Sequence, residues 1–173
     1  MVIDPRSPAT PDALTQQLQL GQQIFGETIE ARRALAEINS VQTQLADIQQ
    51  KLGRQQLGAQ SAQLKPALAE AQSGIGRILT NKEHTAAEGS GLQDAYTGLT
   101  SALRVVEGGD RVVPSQAIAV YRESSQQVKA RIAEWIQFKQ TKLAQLNQQL
   151  REANFAPIAI AKIEQQVEFL ISR

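Results

Sequence analysis

Apolar residues recur at steps of three and four along two long stretches of this chain, Thr10–Leu52 and Ser115–Asn154. In the first, Leu14, Leu18, Gly21, Phe25, Thr28, Ala31, Leu35, Ile38, Val41, Leu45, Ile48 and Leu52 form a stripe expected to face inward. In the second, Ile118, Tyr121, Ser125, Val128, Ile132, Trp135, Leu143, Leu146 and Leu150 do the same, with a wobble near Phe138–Lys142. A period near 3.5 sustained this long predicts helices whose stripes must meet other helices.

Local signals set the ends. Asp4-Pro5, Pro8 and Pro11 keep residues 1–9 extended, because proline restrains both itself and the residue before it. Thr10 reads as an N-cap, with Pro11 at the first helical position and Asp12 where its charge suits the helix dipole. A first helix of about 42 residues and roughly 63 Å is expected to stop at Gly53. A second carries Leu64, Leu68, Ala71, Ile75 and Ile78, starting near Lys65 or kinked at Pro66, and fades at Thr80. Asn81–Gly91 reads as an exposed loop. Ser90 and Gln93 form a capping-box pair ahead of a third helix with Leu92, Tyr96, Leu99, Leu103 and Val106, closed by Gly108-Gly109. Ser115 is the expected cap of a fourth helix ending near Asn154, and a short last helix would carry Ile160, Ile163, Val167 and Leu170.

Length then selects an arrangement. The second and third helices are each too short to cover a long one, but end to end they span roughly 50 Å. The expected fold is all-α: an elongated antiparallel bundle of three legs with a broken middle leg, or else of four unequal helices. The domain division is an extended stub, 1–9, and a helical bundle, 10–173.

Composition narrows the chemistry. The chain has 173 residues, enough for a core without staples, and no Cys, which removes disulfides, thiolate catalysis and Cys-based metal sites. With 18 basic and 17 acidic residues the net charge is +1, giving no long-range field for nucleic acid. Aromatic residues make up 4%, too few for stacking platforms on single strands. No apolar run approaches the roughly 20 residues a membrane span needs, and no signal peptide is visible at Met1–Arg6. Gln occurs 25 times, dispersed among Leu and Ala, as suits solvated helix faces.

Candidate sites are sparse. His84, in the loop Lys82-Glu83-His84, is the only His, so neither a Glu-x-x-His di-metal bundle nor a triad with Ser90 or Ser101 can be assembled convincingly. Gly74-x-Gly76 and Gly89-x-Gly91 lack the rest of a phosphate loop. Glu123 and Glu134 are read as a solvated face rather than a glycosidase pair. Tyr121 and Trp135 lie two heptads apart on one face, which favours core packing over a recognition patch. The expectation is no catalytic, cofactor-binding or metal residues.

One local pattern is more specific. Val2-x-Asp4-Pro5-Arg6, Thr10, Asp12, Leu14-x-x-Gln17 and Leu18-x-Leu20, with Ile24, Ala34 and Ile38, resembles a recurring junction. It is similar to the C-terminal part of large bacterial β-propeller proteins, the BNR/Asp-box-repeat or sortilin-like "glycosyl hydrolase" group. Leu99-x-x-x-Leu103-x-x-Val106-Glu107, Val113-Pro114-Ser115, Ile132-x-x-Trp135, Leu146-Asn147-x-x-Leu150 and Ala156-Pro157-Ile158 extend the resemblance. It covers roughly residues 2–52 and 92–158. It implies a helical tail without its propeller, Val2-Ile3 being the stub of a strand from a missing sheet. The Asp-box signature Ser-x-Asp-x-Gly-x-Thr-Trp is not in this sequence, so no hydrolase role falls on any residue here. The resemblance also implies a periplasmic or extracellular setting.

The functional expectation is a non-catalytic structural or interaction module, acting by self-association as a homo-oligomer or by packing on an upstream β-propeller or β-sandwich domain. Nucleic acid and membrane insertion are not expected. The alternatives are an accessory fragment of a glycosyl hydrolase or sialidase-like enzyme, and a helical adaptor for a peptide or envelope partner.

Overall fold

The computed structural model describes residues 10–54, 59–80, 89–109 and 112–160, with side chains in the second helix described from Leu64 onward. The expected stub 1–9, His84 with the loop around it, and the last helix beyond Ile160 fall outside the described residues. Five helical elements follow one another: α1 (Pro11–Arg54), α2 (Ala59–Thr80), α3 (Leu92–Val106), α4 (Ser115–Phe138) and α5 (Ala144–Glu152). A π-helical turn, Lys139–Leu143, joins α4 to α5 in one rod. Among the described residues there is no strand. The fold is an all-α bundle.

Cross-leg contacts fix the directions. Gln17, near the start of α1, donates from Nε2 to the carbonyls of Val106 and Gly109 at the end of α3. Near the other end of α1, Gln49 accepts from Gln72 of α2 at 2.9 Å. α1 therefore runs against α2 and α3 in succession. Glu27 meets Tyr121 and Lys129, and Glu37 meets Trp135 and Lys139, so α1 and α4 run the same way. This is the three-legged arrangement, up, down and up, with α2 and α3 as the two pieces of the middle leg. Between the legs lies one core, with Ile24, Ile38, Val41, Leu45, Leu68, Ile75, Leu92, Leu99 and Leu150 fully enclosed.

The wobble in the second stripe has a structural cause. A stripe that stepped on from Phe138 by four would put Lys142 inside. In a regular α-helix, Leu143 would lie about 140° around the axis from Phe138. The π turn takes up the extra residue, and Leu143 is buried while Lys142 stays exposed.

Several ends differ from expectation. α1 does begin where expected, at Pro11, with the Thr10 hydroxyl accepting from the Ala13 N–H at 3.2 Å. Gly53 does not stop it; the helix frays one residue later, at Arg54. α2 begins before Pro66 and carries that proline inside, its ring exposed, because Leu64 and Leu68 on either side are buried and hold the turn. The cap of α3 is Gly91, not Ser90: a Cβ at Gly91 would lie 2.3 Å from the Leu79 carbonyl oxygen, so only glycine lets α3 start against the end of α2. The cap of α4 is Pro114, whose carbonyl accepts from the N–H groups of Ala117 and Ile118, leaving Ser115 as the first helical residue. α5 ends at Glu152 in a Schellman turn, with Asn154 at φ 60° and the Phe155 N–H donating to the Leu150 carbonyl at 2.8 Å.

The chain then crosses back over the bundle. Asn147 clamps Ile158 from both sides, accepting from its N–H at 2.7 Å and donating to its carbonyl at 3.1 Å. Gln44 grips Ala159 likewise, at 2.9 Å and 2.7 Å. Two side-chain amides thus replace a sheet edge, and Ile158 is buried beneath them.

Candidate functional site

Polar groups inside the bundle serve packing. Tyr121 and Trp135 are both buried, as expected of a core face, and each tips its polar atom toward an acid on α1. The Tyr121 hydroxyl donates to Glu27 at 3.2 Å, and the Trp135 indole N–H donates to Glu37 at 2.9 Å. A lysine further along the helix, two turns past Tyr121 and one turn past Trp135, completes each set: Lys129 to Glu27 at 2.9 Å and Lys139 to Glu37 at 2.7 Å. Burial pushes the Tyr121 phenol above its ordinary value, and the Glu27 carboxylate adds to that; the bond to Glu27 holds Lys129 up as well. Trp135 stacks on Phe138 with ring centroids 5.6 Å apart, and Lys139 lies over the indole. These pairings fix the register of α4 on α1.

Arg131 does the same for the broken leg. It is buried, and its Nε donates to the Ser90 carbonyl at 3.1 Å while Nη1 binds both carboxylate oxygens of Glu134. Glu134 is therefore a structural counter-ion. Glu123 shares its helix but lies eleven residues away, about 16 Å along the axis, too far for two carboxylates working on one bond. The Ser101 hydroxyl donates to the Thr97 carbonyl at 2.8 Å within its own helix. Gly74 and Gly76 lie within α2, where a phosphate loop cannot form. Among the described residues, no group of three His, Cys, Asp or Glu is placed to hold a metal ion. No described helix is long and apolar enough to cross a membrane.

The feature that stands apart is an open apolar groove of about 660 Å³ at one end of the bundle. Leu14, Leu18, Gly21 and Phe25 of α1 form one side, and Val106 and Glu107 at the end of α3 form the other. Leu18 is 62% exposed and Phe25 49% exposed, although both belong to the stripe expected to face inward. The correction has a geometric reason. At 100° per residue, Leu14, Leu18, Gly21 and Phe25 fall within about 60° of one another, while Ile24 and Ala31 lie roughly 100° around the helix from their centre and Thr28 about 50°. α3 and α4 cover the second set, and Ile24 and Ala31 are fully enclosed. The first half of α1 is apolar on two adjacent faces and only one is occupied.

Charge is missing from the α1 wall of the groove, although Glu107 stands on the other. From Ala13 to Gly26 the chain carries no ionisable residue, and half of its exposed positions are Gln. That signal lies in the sequence, inside a heptad pattern that core packing alone would explain. In comparisons with protein-family models, curated proteins and solved structures, nothing matches this chain.

Proposed function

We propose that this chain is a non-catalytic structural and interaction module: a stiff three-legged rod that works through contacts made by the open face of α1. The observation that supports this most is the exposure of Leu18 and Phe25 along an uncharged stretch, where both line one apolar groove. A contiguous apolar patch with charge depleted at its centre is the composition of an interface core. The internal ion pairs and amide clamps belong to the same reading, because they hold the rod rigid and so lower the entropy lost when a surface docks.

The chain also enters the bundle at this groove, since Pro11 lines it. The described chain thus starts beside the open face, which suits a helical tail joined to a further domain. The test uses the full chain: light scattering for self-association and, if the gene encodes a β-propeller or β-sandwich ahead of residue 1, capture by that domain. Association through either route, weakened by Leu18→Glu at unchanged helical circular dichroism, is the expected result. A chain that ignores both its own copies and that domain would overturn the reading.

A further inference from the structure

We propose that the occupant of the groove is a second copy of this chain, docked antiparallel about a two-fold axis so that Leu18 of each copy seats over Gly21 of the other. The inference rests on the interaction-module reading and commits it to one partner.

The first support is the order of residues on the open face. Leu14, Leu18, Gly21 and Phe25 are spaced four, three and four apart, a sequence of steps that reads the same in both directions. A two-fold axis between residues 18 and 21 therefore superposes the face on itself, placing Leu14 against Phe25 and Leu18 against Gly21. The second is shape. Leu18 projects into solvent, whereas Gly21 is a recess backed by Val106, whose Cγ1 would be 3.7 Å from an added Cβ. One face thus carries a knob and, one turn away, its hole. The third is charge. A surface that meets its own copy brings like charges together unless their placement is self-complementary, and like charges in contact oppose pairing. The stretch Ala13–Gly26 that forms the stripe has none to bring; Glu107, which also lines the groove, stands on the opposite wall at the end of α3. The Gln side chains flanking the stripe are both donors and acceptors, so those the axis brings together, Gln16 with Gln23 and Gln17 with Gln22, can bond to one another.

The experiment is light scattering on the full chain from micromolar to near-millimolar concentration, on wild type, Leu18→Glu and Gly21→Ala. The Gly21 variant is the sharper one: a Cβ there makes ordinary contact with Val106, so the monomer accepts it while the recess is made shallower. A doubled mass for wild type is expected, with the dissociation constant raised at least about tenfold in both variants and no loss of helical signal or melting temperature. The chain has no Cys, so pairing direction can be read directly. Mixing Leu14→Cys and Phe25→Cys chains under mild oxidation should give the mixed disulfide over either homodimer. A monomer at every concentration overturns the proposal, as does a dimer that both variants leave intact or a preference for homodisulfides. If the chain is monomeric yet binds the upstream domain through Leu18, this inference falls and the module reading stands; if it binds neither, both fall.

Discussion

The two halves of α1 carry the same repeat and meet opposite fates. In the second half Ile38, Val41 and Leu45 are completely enclosed; in the first, Leu18 is 62% exposed. Periodicity is not what separates them. Beyond Thr28 the helix is walled by α2, by α4 and by the returning segment that Gln44 and Asn147 pin down. Before Thr28, α3 runs out at Val106 and α4 covers only one flank. A heptad stripe says that a helix face needs cover; it does not say that the cover lies in the same stretch of chain.

The largest expected effect sets those halves against each other with one chemical change. Ile38→Asp puts a carboxylate among fully buried aliphatic groups and should cost more than about 4 kcal/mol, enough to abolish cooperative melting. Leu35→Asp in the same half behaves alike. Leu18→Asp, in solvent, should change monomer stability by no more than about 0.5 kcal/mol. Thermal melts followed by circular dichroism at low protein concentration make the comparison, and similar losses for Ile38 and Leu18 would mean that the open face is closed in solution.

The next test concerns how tightly the middle leg is seated. An added Cβ at Gly98 of α3 would lie 2.1 Å from Ser124 Oγ and 3.1 Å from Ser124 Cβ on α4. Gly98→Ala should therefore destabilise by about 1–3 kcal/mol through overpacking, and Ser124→Gly in the same chain should recover most of it. Additive losses in denaturant titrations would show that α3 and α4 do not approach this closely.

Much of this was legible in the sequence. The start of α1 at Thr10, the burial of Trp135, the pairing of α2 and α3 into one leg and the break in the second stripe all follow from spacing, capping and length. What was not legible depends on neighbours. Ser90 and Gln93 look like a capping pair, yet the cap falls on Gly91 because α2 ends against it. Pro66 looks like a start, yet buried Leu64 and Leu68 carry the helix through it. The partners of Glu27 and Glu37 lie 94 to 102 residues away, and no local rule finds them. For the groove, the pattern marked the residues but not their exposure.

A smaller effect checks that the open half is a regular helix without close neighbours. Gly26 sits on α1 with nothing within 4 Å of an added Cβ. Gly26→Ala should stabilise the protein by up to about 1 kcal/mol, mainly by narrowing the unfolded ensemble. For a chain of this size that raises the melting temperature by roughly 2–4 °C. Gly74→Ala in the sealed half is the contrast, because its Cβ would lie 2.9 Å from the Phe138 ring, and there the gain should vanish or reverse.

The smallest effect is a slope at alkaline pH, set by the cluster where the two halves meet. Tyr121 and Lys129 both titrate above their ordinary values in the fold, the first chiefly through burial and then the Glu27 charge, the second chiefly through its bond to Glu27. A group whose pKa is raised on folding stabilises fully below its unfolded value and loses that contribution as pH climbs through the folded one. For both residues the unfolded value is near pH 10, so stability should be flat through neutral pH and fall above that point, as the unfolded chain releases protons more readily. Tyr121→Phe keeps the ring packed and removes only the phenol, so it should make the decline in urea midpoint between about pH 9 and 11 shallower without erasing it. Lys129 still contributes, though its exposure and solvent screening keep that share small. Identical declines in wild type and Tyr121→Phe would show that the phenol is not held at Glu27, and would loosen the register of α4 on α1 at the boundary between the sealed and open halves.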